Sequence, residues 1–262
     1  MPIPPVELLE LPNRFDRRIL EEEYERIPRF LQSVQRVRDR ELANGNGDFF
    51  HILAEQWKIL ASLQYVFRQG PATVLSSVGH WLDHVVLGME LSHGMEVSVM
   101  LEYFFGAIAV KNDSCAYCLA TAPPDLLGFA DDPDSLPPLV GRVAFALLRE
   151  EDDEARTFLE LLHGHLFEAP PDAPPPPGKA ELCNLQRLGS ALLARDAAAF
   201  NEQMEERCRL RVAALDVDSD VEIPQVIDWM ALGFCSFARD RGLTPAIRHA
   251  YVPFALCEQR PA

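Results

Sequence analysis

The chain has 262 residues, 48% of them hydrophobic, enough to bury one large core or two small ones without disulfide support. Asp and Glu outnumber Lys and Arg by 40 to 24, and the formal charge of -16 argues against a surface built to hold phosphate backbones or anionic lipid. Solubility, or a basic protein partner, remains as the use of that charge. Met1-Pro-Ile-Pro-Pro5 has neither a basic head nor an apolar run, and no apolar segment reaches transmembrane length uninterrupted. A cytoplasmic protein with no membrane and no nucleic-acid partner is expected.

In chain order, a helical pattern runs over residues 15–43, with Pro28 expected to kink or split it. Asn44-Gly-Asn-Gly47 closes it, and Asp48 is placed to cap the next helix. Over residues 49–69, Phe50, Leu53, Trp57, Leu60 and Ala61 mark a second helix, stopped by Gly70-Pro71. Val74, Val78, Trp81, Leu82, Val85 and Met89 trace a third, ended by His93-Gly94. Residues 96–110 are so apolar that a buried helix or a strand would fit, and their length favours the helix.

Between residues 121 and 138, Pro123, Pro124, Pro133, Pro137 and Pro138 alternate with Asp125, Asp131, Asp132 and Asp134, which predicts irregular chain. Two shorter helices are expected over 139–148 and 153–163, the acidic run Glu150-Glu-Asp-Asp-Glu154 suiting a helix N-terminus. Residues 170–177 form a stiff polyproline spacer, the one internal boundary. It divides an N-terminal helical region (1–168) from a C-terminal one (179–262), with 169–178 as the linker.

Beyond it, Leu182, Leu185, Leu188, Leu192 and Leu193 form one stripe, and Asp196 is placed to cap a helix that turns Phe200, Met204, Cys208, Val212 and Leu215 inward. Residues 223–243 are apolar nearly all round, with Ile223, Val226, Ile227, Met230, Ala231, Phe234 and Ala238 at three- and four-residue spacing and Trp229, Leu232 and Phe237 widening the stripe. A central core helix is expected there, with Pro224 in its first turn and Arg239, Arg241 and Gly242 at its end. These three helices read as a hairpin with a third helix packed on it, and the tail Tyr251-Val-Pro-Phe-Ala-Leu256 as extended chain covering an open edge. The fold class is all-α: a multi-helix bundle of antiparallel helical hairpins with Pro-rich loops.

Chemistry is scarce. His80 and His84 have the spacing that places two imidazoles on one metal, but Trp81 stands where a zinc protease needs Glu and no third ligand is evident. Cys115-Ala-Tyr-Cys118 has knuckle spacing without a second pair, and small residues in a tight helix contact explain it better. The six scattered cysteines, Cys183, Cys208, Cys235 and Cys257 included, read as reduced core residues. His163-Gly-His165 reads as a helix C-terminus. With no phosphate loop, no nucleophile elbow and no basic and aromatic interleaving, no cofactor, metal or catalytic residue is expected.

Asp216-Val-Asp-Ser-Asp-Val-Glu222 concentrates four carboxylates between two helices. Such a loop on a rigid scaffold can steer and grip a basic partner, or the same acids can cap the core helix. The first alternative makes Asp216, Asp218, Asp220 and Glu222 candidate partner-binding residues.

Three stretches carry a resemblance: Ala191-Leu-Leu-Ala-Arg-Asp-Ala-Ala-Ala-Phe200, then Ala231-Leu-Gly-Phe-Cys-Ser-Phe-Ala-Arg-Asp-Arg-Gly-Leu243, then Tyr251-Val-Pro253. Together, over roughly residues 180 to 256, they resemble the C-terminal part of the bacterial immunity protein 49 family. The resemblance implies an all-helical cytoplasmic protein that neutralises a cognate toxin, one delivered between competing bacteria, by binding it and blocking its active site. It brings no catalytic residue. Two other classes stay open: a helical-repeat scaffold for protein interactions, for which no clean internal period is seen, and a helical metal-dependent enzyme around His80 and His84.

Overall fold

The computed structural model describes residues 17–91, 97–121, 136–167, 178–217 and 226–258. Eleven helices lie within them: α1 (Arg17–Ala43), α2 (Gly47–Val66), α3 (Pro71–Leu91), α4 (Val97–Ala109), α5 (Asp113–Ala120), α6 (Leu136–Leu148), α7 (Asp152–Phe167), α8 (Lys179–Leu193), α9 (Ala197–Val217), α10 (Trp229–Asp240) and α11 (Ala255–Glu258). Among the described residues there is no strand, only an isolated antiparallel bridge between His249 and Val252. The protein is an all-α multi-helix bundle. Among the described residues no helix is long and apolar enough to cross a membrane.

Four helix pairs are joined by links of one design. In Asn44-Gly-Asn46, Val110-Lys-Asn112, Arg149-Glu-Glu151 and Ala194-Arg-Asp196 the middle residue has positive φ: 66° at Gly45, 59° at Lys111, 58° at Glu150 and 53° at Arg195. The third residue then donates its N–H to a carbonyl five positions back, Asn46 to Glu41, Asn112 to Ala107, Glu151 to Ala146 and Asp196 to Ala191, which closes the first helix. Asn46, Asn112 and Asp196 also open the second, accepting the N–H of Phe49, of Cys115, and of both Ala198 and Ala199. Only Gly45 suits the left-handed conformation; a residue with a Cβ is strained there by about 1–2 kcal/mol. Arg195 is exposed and has no ion pair among the described residues, so Arg195→Gly is expected to raise stability by about 0.5–1 kcal/mol, net of glycine's entropy in the unfolded chain. An unchanged or lower urea midpoint would show the link to be unstrained.

The core assembles by close crossings. Helices α2 and α3 run antiparallel, with the His51 ring against Gly88 and Trp57 on His80 at 4.4 Å between centroids. Trp81 of α3 lies against Gly106 of α4, and Phe105 of α4 against Gly233 of α10; a Cβ on either glycine would meet the ring at 2.6 Å. From Trp229 to Ala238, α10 is buried at every residue but Met230, as a helix apolar nearly all round requires. Its main partner is α4, through Phe104, Phe105, Phe234 and Phe237.

Several expectations are corrected. Pro28 does not split helix α1, because Ile27 and Leu31 are held in a cluster with Phe50, Leu53 and Leu60 that outweighs one missing hydrogen bond. Asn46, not Asp48, caps α2. Helix α6 starts early enough to hold Pro137 and Pro138 in its first turn, where helical N–H groups lack partners anyway. Helix α7 ends at Phe167, a turn later than expected, with His165 in its last turn. The core helix begins at Trp229 and packs chiefly on α4, with a smaller contact to α8 of the α8–α9 hairpin. The tail is a bridged turn followed by α11, with Tyr251, Val252, Leu256 and Cys257 buried. The segments 122–135 and 170–177 and His93-Gly94 lie outside the described residues.

Candidate functional site

The structure separates the residues with metal-ligand spacing into different tasks. His84 is buried, and its Nδ1 lies 2.6 Å from the His80 carbonyl oxygen; the exposed His80 ring lies against Trp57, tilted by 31°. Cys115 is buried in α5 with its thiol pushed up to about 12, first by burial and then by the charges of Cys118 and Asp83. Cys118 is half-buried, its thiol likewise raised by burial and by Glu90. A thiol held protonated is a poor ligand and a poor nucleophile. Among the described residues, no three of His, Cys, Asp and Glu are gathered around a point that would hold a metal.

The acidic stretch that joins α9 to α10 is only bordered by the structure. Asp216 falls in the last turn of α9 and its side chain, with Asp218, Asp220 and Glu222, lies outside the described residues. What is described is the anchorage on both sides. Asp228 caps α10 by accepting the Ala231 N–H at 2.9 Å, so this cap is not one of the four acids. Its carboxylate takes Nε of Arg207 on Oδ2 at 2.8 Å and Nη2 on Oδ1 at 3.3 Å, a two-pronged pair with side chains only 9% and 3% exposed. Burial opposes ionisation of Asp228, but the charges of Arg207 and Arg211 outweigh it and hold the carboxyl below its ordinary range. The Asp228 N–H also donates to the Tyr251 carbonyl at 2.8 Å, while Tyr65 Oη donates to Ala250 O at 2.5 Å. Asp228 thus joins α9 through its carboxylate and the tail through its N–H to the start of α10.

Beside this anchorage an open groove of about 640 Å³ runs between α9 and residues 246–249. Cys208, Val212 and Ile247 give it an apolar floor, and Glu205, Arg209 and Arg248 a charged rim. His249 lines one side and accepts the Tyr251 N–H on Nδ1 at 3.3 Å.

A second buried charge sits between α2 and α4. Lys58 Nζ donates to Glu55 Oε1 and to Glu102 Oε2, each at 3.0 Å, and Tyr103 Oη donates to the same Glu55 oxygen at 2.5 Å. Burial would discharge Lys58, but Glu102 and Glu55 outweigh it and raise the ammonium above its ordinary range. Every member is satisfied, so the cluster binds helices together and leaves no idle acid or base.

Burial lowers the imidazoles of His51, His84 and His249 below the usual 6.5. The unfolded chain then binds more protons than the folded one just below that value. Their contribution to stability is expected to be complete above pH 6.5 and to be lost as pH falls through the lowered folded values. Unfolding curves taken from about pH 7 to about pH 5 check the sign, and His84→Gln should flatten the slope.

No family model, no curated protein and no solved structure matches this chain.

Proposed function

We propose that this protein is an immunity protein that binds a cognate antibacterial toxin in the cytoplasm and occludes its active site, doing no chemistry of its own. The observation that carries this is the resemblance of residues 180–256 to the immunity protein 49 family, whose quoted positions are framework residues here. Asp196 caps α9, Phe200 is fully buried, Gly242 takes the left-handed φ of 77° that ends α10, and the Tyr251 carbonyl anchors Asp228. Such residues build a scaffold and leave recognition to the exposed surface. The charge of -16 supports a basic partner, such as a toxin that attacks nucleic acid or nucleotides and presents a groove meant for phosphate.

Co-expression tests this. A toxin encoded beside this gene should be lethal alone and harmless together with this protein; continued killing would refute the reading. The acidic stretch makes a narrower prediction. Replacing Asp216, Asp218, Asp220 and Glu222 by Asn or Gln is expected to slow association with that toxin about ten-fold and to weaken its salt dependence. Unchanged association would remove these four residues from the interface.

The same three-residue link at four hairpins favours one other reading, a helical scaffold whose partner is no toxin. It predicts a protein partner and no rescue from killing.

A further inference from the structure

Residues 249–252 form a tight turn, in which the His249 carbonyl accepts the Val252 N–H at 3.0 Å and the two residues make the isolated bridge. Inside it, His249 Nδ1 takes the N–H of Tyr251, two residues on, at 3.3 Å. A side-chain acceptor at this place in a turn is ordinarily supplied by Asn or Asp. An imidazole can do the same only while it is neutral, with its proton on Nε2. Once it is protonated both ring nitrogens are donors, and Nδ1–H is set against the Tyr251 N–H.

The turn ties the tail to two helices. Its Ala250 carbonyl accepts Tyr65 Oη of α2 at 2.5 Å, and its Tyr251 carbonyl accepts the Asp228 N–H at the start of α10 at 2.8 Å. After the turn, Val252, Leu256 and Cys257 are buried, and Arg239 Nη1 donates to the Cys257 carbonyl at 2.8 Å. Before it, residues 246–249 are one wall of the groove along α9. Asp228 favours a proton on His249 but is already engaged by Arg207. Arg248 stands beside the imidazole in sequence, Glu205, Arg209 and the Cys208 thiol line the same groove from α9, and the Tyr251 ring lies 5.3 Å away. Burial outweighs Asp228 and holds the imidazole below its ordinary 6.5, so the closed turn is the state that excludes the proton.

We infer that the 249–252 turn is a proton-sensitive latch: neutral His249 closes it, and protonated His249 releases the tail from Tyr65 and Asp228 and frees the groove wall while the helical core stays folded. The opened turn takes the proton at the ordinary value and the closed turn only at a lower one. The latch is therefore complete above pH 6.5 and is lost as pH falls through the lowered value, the opening equilibrium rising by up to about ten-fold per pH unit in between.

Amide hydrogen exchange of the purified full chain, followed by NMR from about pH 7 to about pH 5 and corrected for intrinsic exchange rates, reads the opening directly. Protection of the Asp228 and Val252 N–H groups is expected to fall by up to about ten-fold per pH unit below 6.5. The N–H of Phe104, fully buried in α4, reports opening of the core and should lose less, so any effect of His51 and His84 on global stability is separated within one sample. His249→Asn keeps a side-chain acceptor that takes no proton, and its Asp228 and Val252 amides should follow Phe104 at every pH. His249→Ala has no acceptor and should expose both amides at about pH 7 as acid does in the original chain. The latch is overturned if the two amides lose no more protection than Phe104 in the original chain, if the asparagine variant loses as much as the original, or if the alanine variant is as protected as the original at neutral pH.

Discussion

Asp228→Ala should remove about 3–5 kcal/mol of unfolding free energy, because it strands the Arg207 guanidinium in a site that is almost fully buried. Against a total of about 5–15 kcal/mol for a folded domain, that is a large fraction. Two effects are combined in the alanine variant, the ion pair and the helix cap, and Asp228→Asn separates them. Asparagine can still accept the Ala231 N–H, so it should recover about 1 kcal/mol of the loss while leaving Arg207 unpaired. Replacing both partners, Arg207→Met with Asp228→Asn, should recover much of the rest, since the costly state is one buried charge without its mate. Urea unfolding of the three variants measures the series. An alanine variant within about 1 kcal/mol of the original chain would show that water reaches the pair.

Trp81→Ala should cost a similar amount, about 3–5 kcal/mol, through packing alone. Trp81 is fully buried where α3, α4 and α10 meet: its ring is 5.1 Å from that of Trp229, 5.6 Å edge-on from that of Tyr103, and pressed against Gly106. Its indole Nε1 has no hydrogen-bond partner among the described residues, so the loss is one of packing. Alanine would leave a cavity that three rigid helices cannot close, and the loss should appear in the unfolding midpoint. A drop below about 1 kcal/mol would mean that the neighbouring rings refill the space.

The fold was legible where apolar spacing carries it. The stripes through Phe50, Leu53 and Leu60, through Val74, Val78 and Val85, and through Phe200 and Met204 turn buried faces inward as their periods require. Helix ends were less legible, because three of the four hairpin links place Lys111, Glu150 or Arg195 where glycine is the usual signal. Helix α5 went unseen for that reason: Lys111-Asn112 ends one helix and begins the next without a glycine or proline to mark it. The core helix was drawn too long because Ile223, Val226 and Ile227 continue its apolar spacing. Val226 and Ile227 are indeed buried, but outside the helix, and Asp228 just before Trp229 was the cap signal.

The candidate site was legible only as composition. A run of four acids can be read from letters, but the pairing of Arg207 with Asp228 depends on how α9 meets α10.

The most direct test of the central claim, that this protein works by occupying another protein, is a titration of toxin activity. A candidate toxin encoded beside this gene is held at fixed concentration, well above the dissociation constant, and this protein is added in steps. Occupancy predicts a straight fall of activity to zero at equivalence, with intact toxin recovered when the complex is denatured and separated. Full inactivation by a small fraction of an equivalent, or undiminished activity at excess, would contradict it.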